Sequence, residues 1–227
     1  MIRIQRADDR GALNAGWLKA RYSFSFDQYY DPQRDGFESL RVFNHDVVAP
    51  GEGFPSHSHN NFEIVTIPLK GSVAHKDNAG GEGIVSVGEV QSMSAGTGVE
   101  HSEYNASTEE LLELFQIWIE TSTPNRAPQY DQHAYPVDAH GRHILASQTN
   151  GAYIDTDAKI EYLYSDSDFS ILLREELSYF YMAISGDTYL GISGEPEVLT
   201  AYDSLEIQGE QGILALNPGA SGILITL

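Results

Sequence analysis

Short apolar segments separated by turn-forming residues run along most of the sequence. Segments 40–48, 62–75 and 111–120 are rich in β-branched and aromatic residues, and "KDNAGGEG" (76–83) supplies the small and polar residues of a hairpin tip. This alternation is typical of antiparallel sandwiches and barrels, and few segments favour a helix. The sequence therefore predicts an all-β protein.

A proline-rich stretch at 121–141, "TSTPNRAPQYDQHAYPVDAHG", interrupts this pattern. Three prolines and few aliphatic residues are typical of a linker between domains. Beyond it the strand-and-turn pattern resumes and weakly resembles the first half, although it contains no His-x-His. We predict two domains, residues 1–135 and 136–227, of which only the first binds metal.

Composition excludes several classes of function. The 227 residues carry a formal net charge of −20, from 33 acidic and 13 basic residues, and such a surface repels phosphate backbones and anionic membranes. The absence of cysteine excludes disulfides and thiolate metal sites. No apolar run is long enough for a membrane span or a signal peptide. We expect a cytoplasmic monomer with no nucleic-acid or membrane partner.

Two histidines lie one residue apart in "GEGFPSHSHNNFEIV" (51–65). Side chains two apart share a face of a β-strand, so His57 and His59 should project together. If the strand continued without interruption, every second residue after His59 would lie on this face. We therefore expect Glu63 to extend the face, and the apolar residues Val65, Ile67 and Leu69 to form the floor of a pocket.

A second pair occurs in "GTGVEHSEYN" (96–105), where His101 and Glu103 are again two apart. Three imidazoles together with Glu103 or Glu63 form a ligand set that suits Fe, Mn, Ni, Cu or Zn. Four protein ligands around an octahedral ion leave two adjacent positions open. The spacing alone leaves the choice between the two carboxylates undecided.

These motifs carry a family resemblance. The segment from Gly51 through His57, His59 and Glu63 to Gly71 resembles the first cupin motif, and 98–105 is similar to the second. More specifically, "SFSFDQYYDPQRDGFESLRVFNHDVVAPGEGFPSHSHNNFEIVTIPLKGSVAHKDN" and "MSAGTGVEHSEYN" resemble the pirin family. The likeness extends over about residues 6–130.

The resemblance implies a bicupin fold, in which two antiparallel β-barrels of the double-stranded β-helix type pack together. It also implies one divalent metal, with Fe²⁺ as the first expectation, held in the first barrel by His57, His59, His101 and Glu103. Glu63 then becomes a residue next to the ligands. His75 matches a recurring pirin position, and we expect either a hydrogen-bonded structural histidine or a pocket residue.

Three functions are compatible with such a site. The resemblance implies a dioxygenase of the quercetin 2,3-dioxygenase type, with a small flavonol-like aromatic and dioxygen as substrates. Glu103 would then be the catalytic base and Glu63 the fallback. The alternatives are an iron-dependent regulatory protein that binds a protein partner, and another metal-assisted cupin reaction such as an isomerisation.

Overall fold

The computed structural model describes residues 1–192 and 196–227, and over these residues the chain is built from β-strands. The single described helix is a short 3-10 turn at Ala7–Asp9. The prediction of an all-β fold is confirmed. In chain order the strands are β1 Ile2–Gln5, β2 Gly11–Asn14, β3 Leu18–Tyr22, β4 Leu40–Val48, β5 Gly53–His59, β6 Phe62–Lys70, β7 Ser72–Asp77, β8 Glu82–Ser86, β9 Glu89–Ser94, β10 Val99–Asn105, β11 Leu112–Glu120, β12 Gln129–Ala134, β13 Gly141–Ser147, β14 Ala152–Tyr153, β15 Lys159–Tyr164, β16 Phe169–Leu173, β17 Tyr179–Ser185, β18 Thr188–Gly191, β19 Glu197–Leu199, β20 Ser204–Ile207, β21 Gly212–Leu216 and β22 Ser221–Thr226.

The chain divides into two compact units. The larger unit contains Gly11–Tyr135 and Ala146–Asp157, and the smaller unit contains Met1–Arg10, Pro136–Leu145 and Ala158–Leu227. These boundaries differ from the predicted 1–135 and 136–227 in two segments. The first ten residues lie in the smaller unit because β1 pairs along its length with β20 and covers that sheet edge.

The second exchanged segment contains β14. The backbone N–H of Tyr153 donates to Asp131 Oδ2 at 2.9 Å, and Ser92 Oγ donates to the Tyr153 carbonyl at 2.7 Å. Segment 146–157 is therefore attached to the larger unit by polar contacts, which hydrophobic periodicity does not reveal.

The larger unit contains two sheets. Seven strands follow the order β12-β9-β6-β11-β4-β3-β2, and four follow the order β5-β10-β7-β8. One buried apolar cluster draws on both sheets, with Ala20 and Leu114 from the first and Val73 and Val85 from the second. The sheets therefore pack face to face, which is the jelly-roll arrangement expected for a cupin.

The smaller unit repeats this arrangement. Its larger sheet contains β1, β20, β17, β22, β15 and β13 in that order, and its other sheet has the order β16-β21-β18-β19. Leu173, Leu190 and Leu224 belong to a buried cluster that again joins both sheets. The predicted bicupin fold is confirmed. No helix within the described ranges is long and apolar enough to span a membrane.

Candidate metal centre

Strands β5 and β10 bring the three predicted histidines together. The strands are antiparallel, with His101 opposite His57 and Val99 opposite His59. His57 Nε2 and His101 Nε2 are 3.1 Å apart, and the ring of His59 lies 4.7 Å from that of His57 and 4.9 Å from that of His101. Alternation along β5 therefore places His57 and His59 on one face, as the sequence indicated.

The nitrogens of this cluster are arranged as metal ligands. One nitrogen from each ring lies within 4.8 Å of the other two. His57 Nδ1 is 2.8 Å from the Pro55 carbonyl, so the proton on Nδ1 leaves Nε2 with a free lone pair. His59 Nε2 is buried and has no hydrogen-bond partner in the part of the chain that the structure describes. Buried polar atoms are normally hydrogen-bonded or bound to an ion, so the unpartnered imidazole nitrogen of His59 indicates a metal ligand.

Electrostatics keep the cluster receptive to a cation. Burial, and to a smaller extent the neighbouring imidazoles, lower the pKa of His59 to about 4 and that of His101 to about 3. Both rings are therefore neutral at pH 7. A metal ion requires this state, because it binds the imidazole lone pair in place of a proton.

Glu103 lies on the same strand as His101 and is buried. Its Oε1 accepts hydrogen bonds from Thr66 Oγ1 at 2.9 Å and from Gln91 Nε2 at 2.6 Å, while Oε2 accepts one from Gln116 Nε2 at 2.6 Å. Oε2 has a single donor and keeps a lone pair. Three imidazoles and this carboxylate fit one divalent first-row metal ion, since they offer nitrogen and oxygen without thiolate.

His75 lies behind His101. The two Nδ1 atoms are 3.5 Å apart, and His75 Nε2 is 3.0 Å from Asp77 Oδ2. Because His101 Nε2 faces His57, His101 Nδ1–H donates to His75, whose Nε2–H donates to Asp77. This chain fixes the tautomer of His101. His75 does not line the large cavity beside the histidines, so the structural role agrees with its position.

Asp77 anchors this chain to the backbone. Its Oδ1 accepts hydrogen bonds from the backbone N–H groups of Ala79 and Gly81, both at 2.8 Å. Burial raises the pKa of Asp77, but the hydrogen bonds from His75 and the two amides outweigh it and hold the pKa below its usual value. Asp77 is therefore a carboxylate at neutral pH.

Glu63 does not share a face with His57 and His59, contrary to the prediction from spacing. Ser94 Oγ donates to Glu63 Oε2 at 2.5 Å, and Glu63 lines a cavity of about 230 Å³ with Arg126 and Asp155. Thr66, three residues later on β6, reaches Glu103 on the opposite face. Burial raises the pKa of Glu63, and the hydrogen bond from Ser94 offsets only part of this. Glu63 therefore neither joins the cluster nor serves as its fallback base.

The predicted pocket floor is also wrong, because the chain turns between the histidines and β6. Asn61 has a positive φ of 51° in the turn between β5 and β6, and β6 begins in the other sheet. Alternation counted from His59 cannot cross that turn. Val65 and Ile67 share the face of Glu63, and Leu69 lies where the pairing of β6 with β11 shifts register. None of the three lines the large cavity.

A cavity of about 630 Å³ opens beside the histidines, within the larger unit. His57, His59 and Glu103 form part of its wall. Alternation along β11 could have indicated Trp118, because the even-numbered positions of that strand face inward. Nothing in the sequence connects the other aromatic residues of the wall to the site. The aromatic wall consists of Trp17, Tyr22, Phe26, Phe54 and Trp118.

Comparison with known proteins assigns the family. The model of the family described as Pirin matches residues 4–119, slightly more than half of the chain. The chain belongs to the pirin family. A quercetin 2,3-dioxygenase of Escherichia coli (strain K12) is 45% identical over 222 residues, which cover 94% of this pirin and 92% of the relative. A pirin-like protein of Caulobacter vibrioides is 41% identical over 166 residues, covering 70% and 71%.

A solved structure supports the same assignment. The bacterial pirin YhhW of Escherichia coli, in complex with nickel(II), superposes with a TM-score of 0.89 at 35% identity, over 100% of this pirin and 98% of that chain. The resemblance drawn from 51–71 and 98–105 is thereby confirmed.

Proposed function

We propose that this pirin is a metal-dependent dioxygenase of the quercetin 2,3-dioxygenase type, acting on a flavonol-like aromatic and dioxygen. One observation carries the proposal: a cluster of three imidazoles beside the buried Glu103 borders an aromatic-lined cavity of about 630 Å³. A cavity of this volume suits a small flat molecule. The relatives named quercetin 2,3-dioxygenase support the same reaction.

The proposed metal site has four protein ligands. We propose that His57, His59, His101 and Glu103 hold one divalent ion, with Fe²⁺ as the first choice and Mn, Ni, Cu or Zn as alternatives. YhhW was crystallised with nickel(II), which supports a divalent metal in this family without favouring iron. When bound, such an ion supplies a Lewis acid with open positions for both reactants.

Glu103 is the base that the geometry supports. A flavonol must lose its hydroxyl proton to react, and Glu103 Oε2, which lies in the cavity wall, would take that proton when it leaves the metal. Thr66, Gln91 and Gln116 fix the carboxylate at three points, so its position changes little when it accepts a proton. Glu63 cannot substitute, because it lies on the opposite face of β6.

The aromatic wall orients the substrate and excludes water. The ring of Trp118 lies 4.6 Å from His59, and Phe26 packs edge-on against Trp118 at 5.3 Å. A flat aromatic can stack along these rings with its reactive oxygens toward the histidines. Holding the two reactants together replaces a chance encounter with an intramolecular step.

The regulatory alternative has no specific observation in its favour within the described residues. A monomeric state and a cytoplasmic location remain predictions from the sequence.

Oxygen consumption with quercetin tests the proposal. Fully metallated wild-type protein should consume oxygen, and His101→Ala should not. His133→Ala is the matched control, because His133 is exposed on β12 and lies outside the cluster. Equal rates in wild type and His101→Ala, or no consumption by either, would refute the dioxygenase function.

A further inference from the structure

Asn44 is a buried residue whose amide side chain lines the cavity. It lies on β4, opposite Gln116 of β11 and Tyr22 of β3, and its relative exposure is 2%. Its Oδ1 is buried without a hydrogen-bond partner among the described residues, and it lines the same cavity as the histidines. A buried amide without a partner destabilises the fold, so its presence calls for a ligand.

Its position relative to the metal centre follows from strand register. Thr66, Gln116 and Asn44 stand opposite one another on β6, β11 and β4. The first two bind Glu103 through hydrogen bonds, whereas Asn44 lies one strand further, about 5 Å along the sheet. A ligand that reaches the histidines with one of its atoms can therefore contact Asn44 with another.

The charges at this end of the cavity define the chemistry of that atom. Asp27 and Asp46 line it, and no Lys or Arg of the described chain does. Burial, and to a smaller extent Asp46 and Asp27, raise the pKa of Tyr22 to about 12, so its phenol stays protonated. An anionic group would be repelled here. A neutral hydroxyl can donate to Asn44 Oδ1 and accept from its amide.

We propose that Asn44 is a specificity-determining residue that binds a neutral phenolic hydroxyl of the flavonol, other than the hydroxyl directed at the metal. This inference rests on the proposed function, since it assumes a flavonol in the cavity. It predicts a preference for polyhydroxylated flavonols over flavonols that carry only the 3-hydroxyl and 4-keto groups.

Intrinsic fluorescence measures this preference directly. Trp17 and Trp118 are the two tryptophans of the chain, and both line the cavity, so quenching reports binding without turnover. Metal-loaded protein is titrated without oxygen, once with quercetin and once with 3-hydroxyflavone. Asn44→Leu should weaken quercetin binding about tenfold and change 3-hydroxyflavone binding less than about twofold, as expected for one lost hydrogen bond.

Two controls separate specificity from damage. Leu13→Ala removes an apolar part of the wall and should weaken both flavonols alike. Asn44→Leu should melt no lower than wild type without ligand, because leucine has a similar volume and no protein hydrogen bond is lost. If the leucine variant does not fold, Asn44→Ala removes the same amide and should give the same selective loss.

The outcomes distinguish this inference from the proposed function. If Asn44→Leu weakens both flavonols equally, or neither, the inference is overturned while flavonol binding itself still supports the dioxygenase. If neither flavonol quenches the wild-type tryptophans, the proposed substrate class is wrong and the inference is overturned with it.

Discussion

The two buried glutamates make the sharpest test of the metal centre. Glu103 and Glu63 have relative exposures of 3% and 1%, and both accept hydrogen bonds. Glu103 lies on β10 of the four-stranded sheet and meets the face of β6 that carries Thr66, whereas Glu63 lies on the other face of β6. The substitutions Glu103→Gln and Glu63→Gln each replace a buried carboxyl group with an amide of nearly the same size. Only the first should affect metal binding.

The structure gives the stability effect of each change. Two of the three donors to Glu103 are amide groups, from Gln91 and Gln116, and an amide N–H₂ cannot accept from either. Glu103→Gln therefore loses at least one hydrogen bond to a carboxylate, about 2 kcal/mol of the free energy of unfolding. Ser94 donates to Glu63 through a hydroxyl, which can rotate and accept, so Glu63→Gln should cost about 1 kcal/mol or less.

Metal affinity separates the variants further. Loss of a partner that only orients a ligand weakens binding about 10- to 100-fold, and loss of a ligand should exceed this. Calorimetric titration of metal-free protein with Ni²⁺ or Fe²⁺ should give Glu103→Gln at least a 100-fold weaker affinity and Glu63→Gln a wild-type affinity. If Glu63→Gln loses metal while Glu103→Gln retains it, the assignment of the fourth ligand is refuted.

Three further predictions concern the histidines. His57→Ala, His59→Ala and His101→Ala should each lose most of the bound metal in elemental analysis, because three ligands hold an ion less tightly; full retention would remove that residue from the ligand set. Asp77→Asn should weaken metal binding about tenfold by loosening His75 against His101, and an unchanged affinity would contradict that chain. Metal-free protein should lose stability between about pH 6.5 and pH 4 in urea denaturation, because the lowered pKa values of His59 and His101 leave the folded state with fewer protons than the unfolded chain. A slope unchanged by His59→Gln would contradict this origin.

Local sequence determined the strands and the ligands within each strand. Alternation is a property of the extended backbone, so His57 with His59, and His101 with Glu103, could be paired on one face from spacing alone. Apolar segments between turn residues likewise predicted both β-rich halves. The motif at 51–71 and 98–105 indicated the family, and the family model confirms it.

Tertiary structure decided everything that depends on how strands meet. The turn at Asn61 sends β6 into the other sheet, which removes Glu63, Val65 and Ile67 from the site although the spacing favoured them. The pairing of β1 with β20 moved the first residues into the smaller unit. Asn44 likewise reaches the cavity only through the register of β4 against β11. Spacing carries side-chain direction only along a continuous strand, whereas register between strands is set by packing and hydrogen bonds distant in sequence.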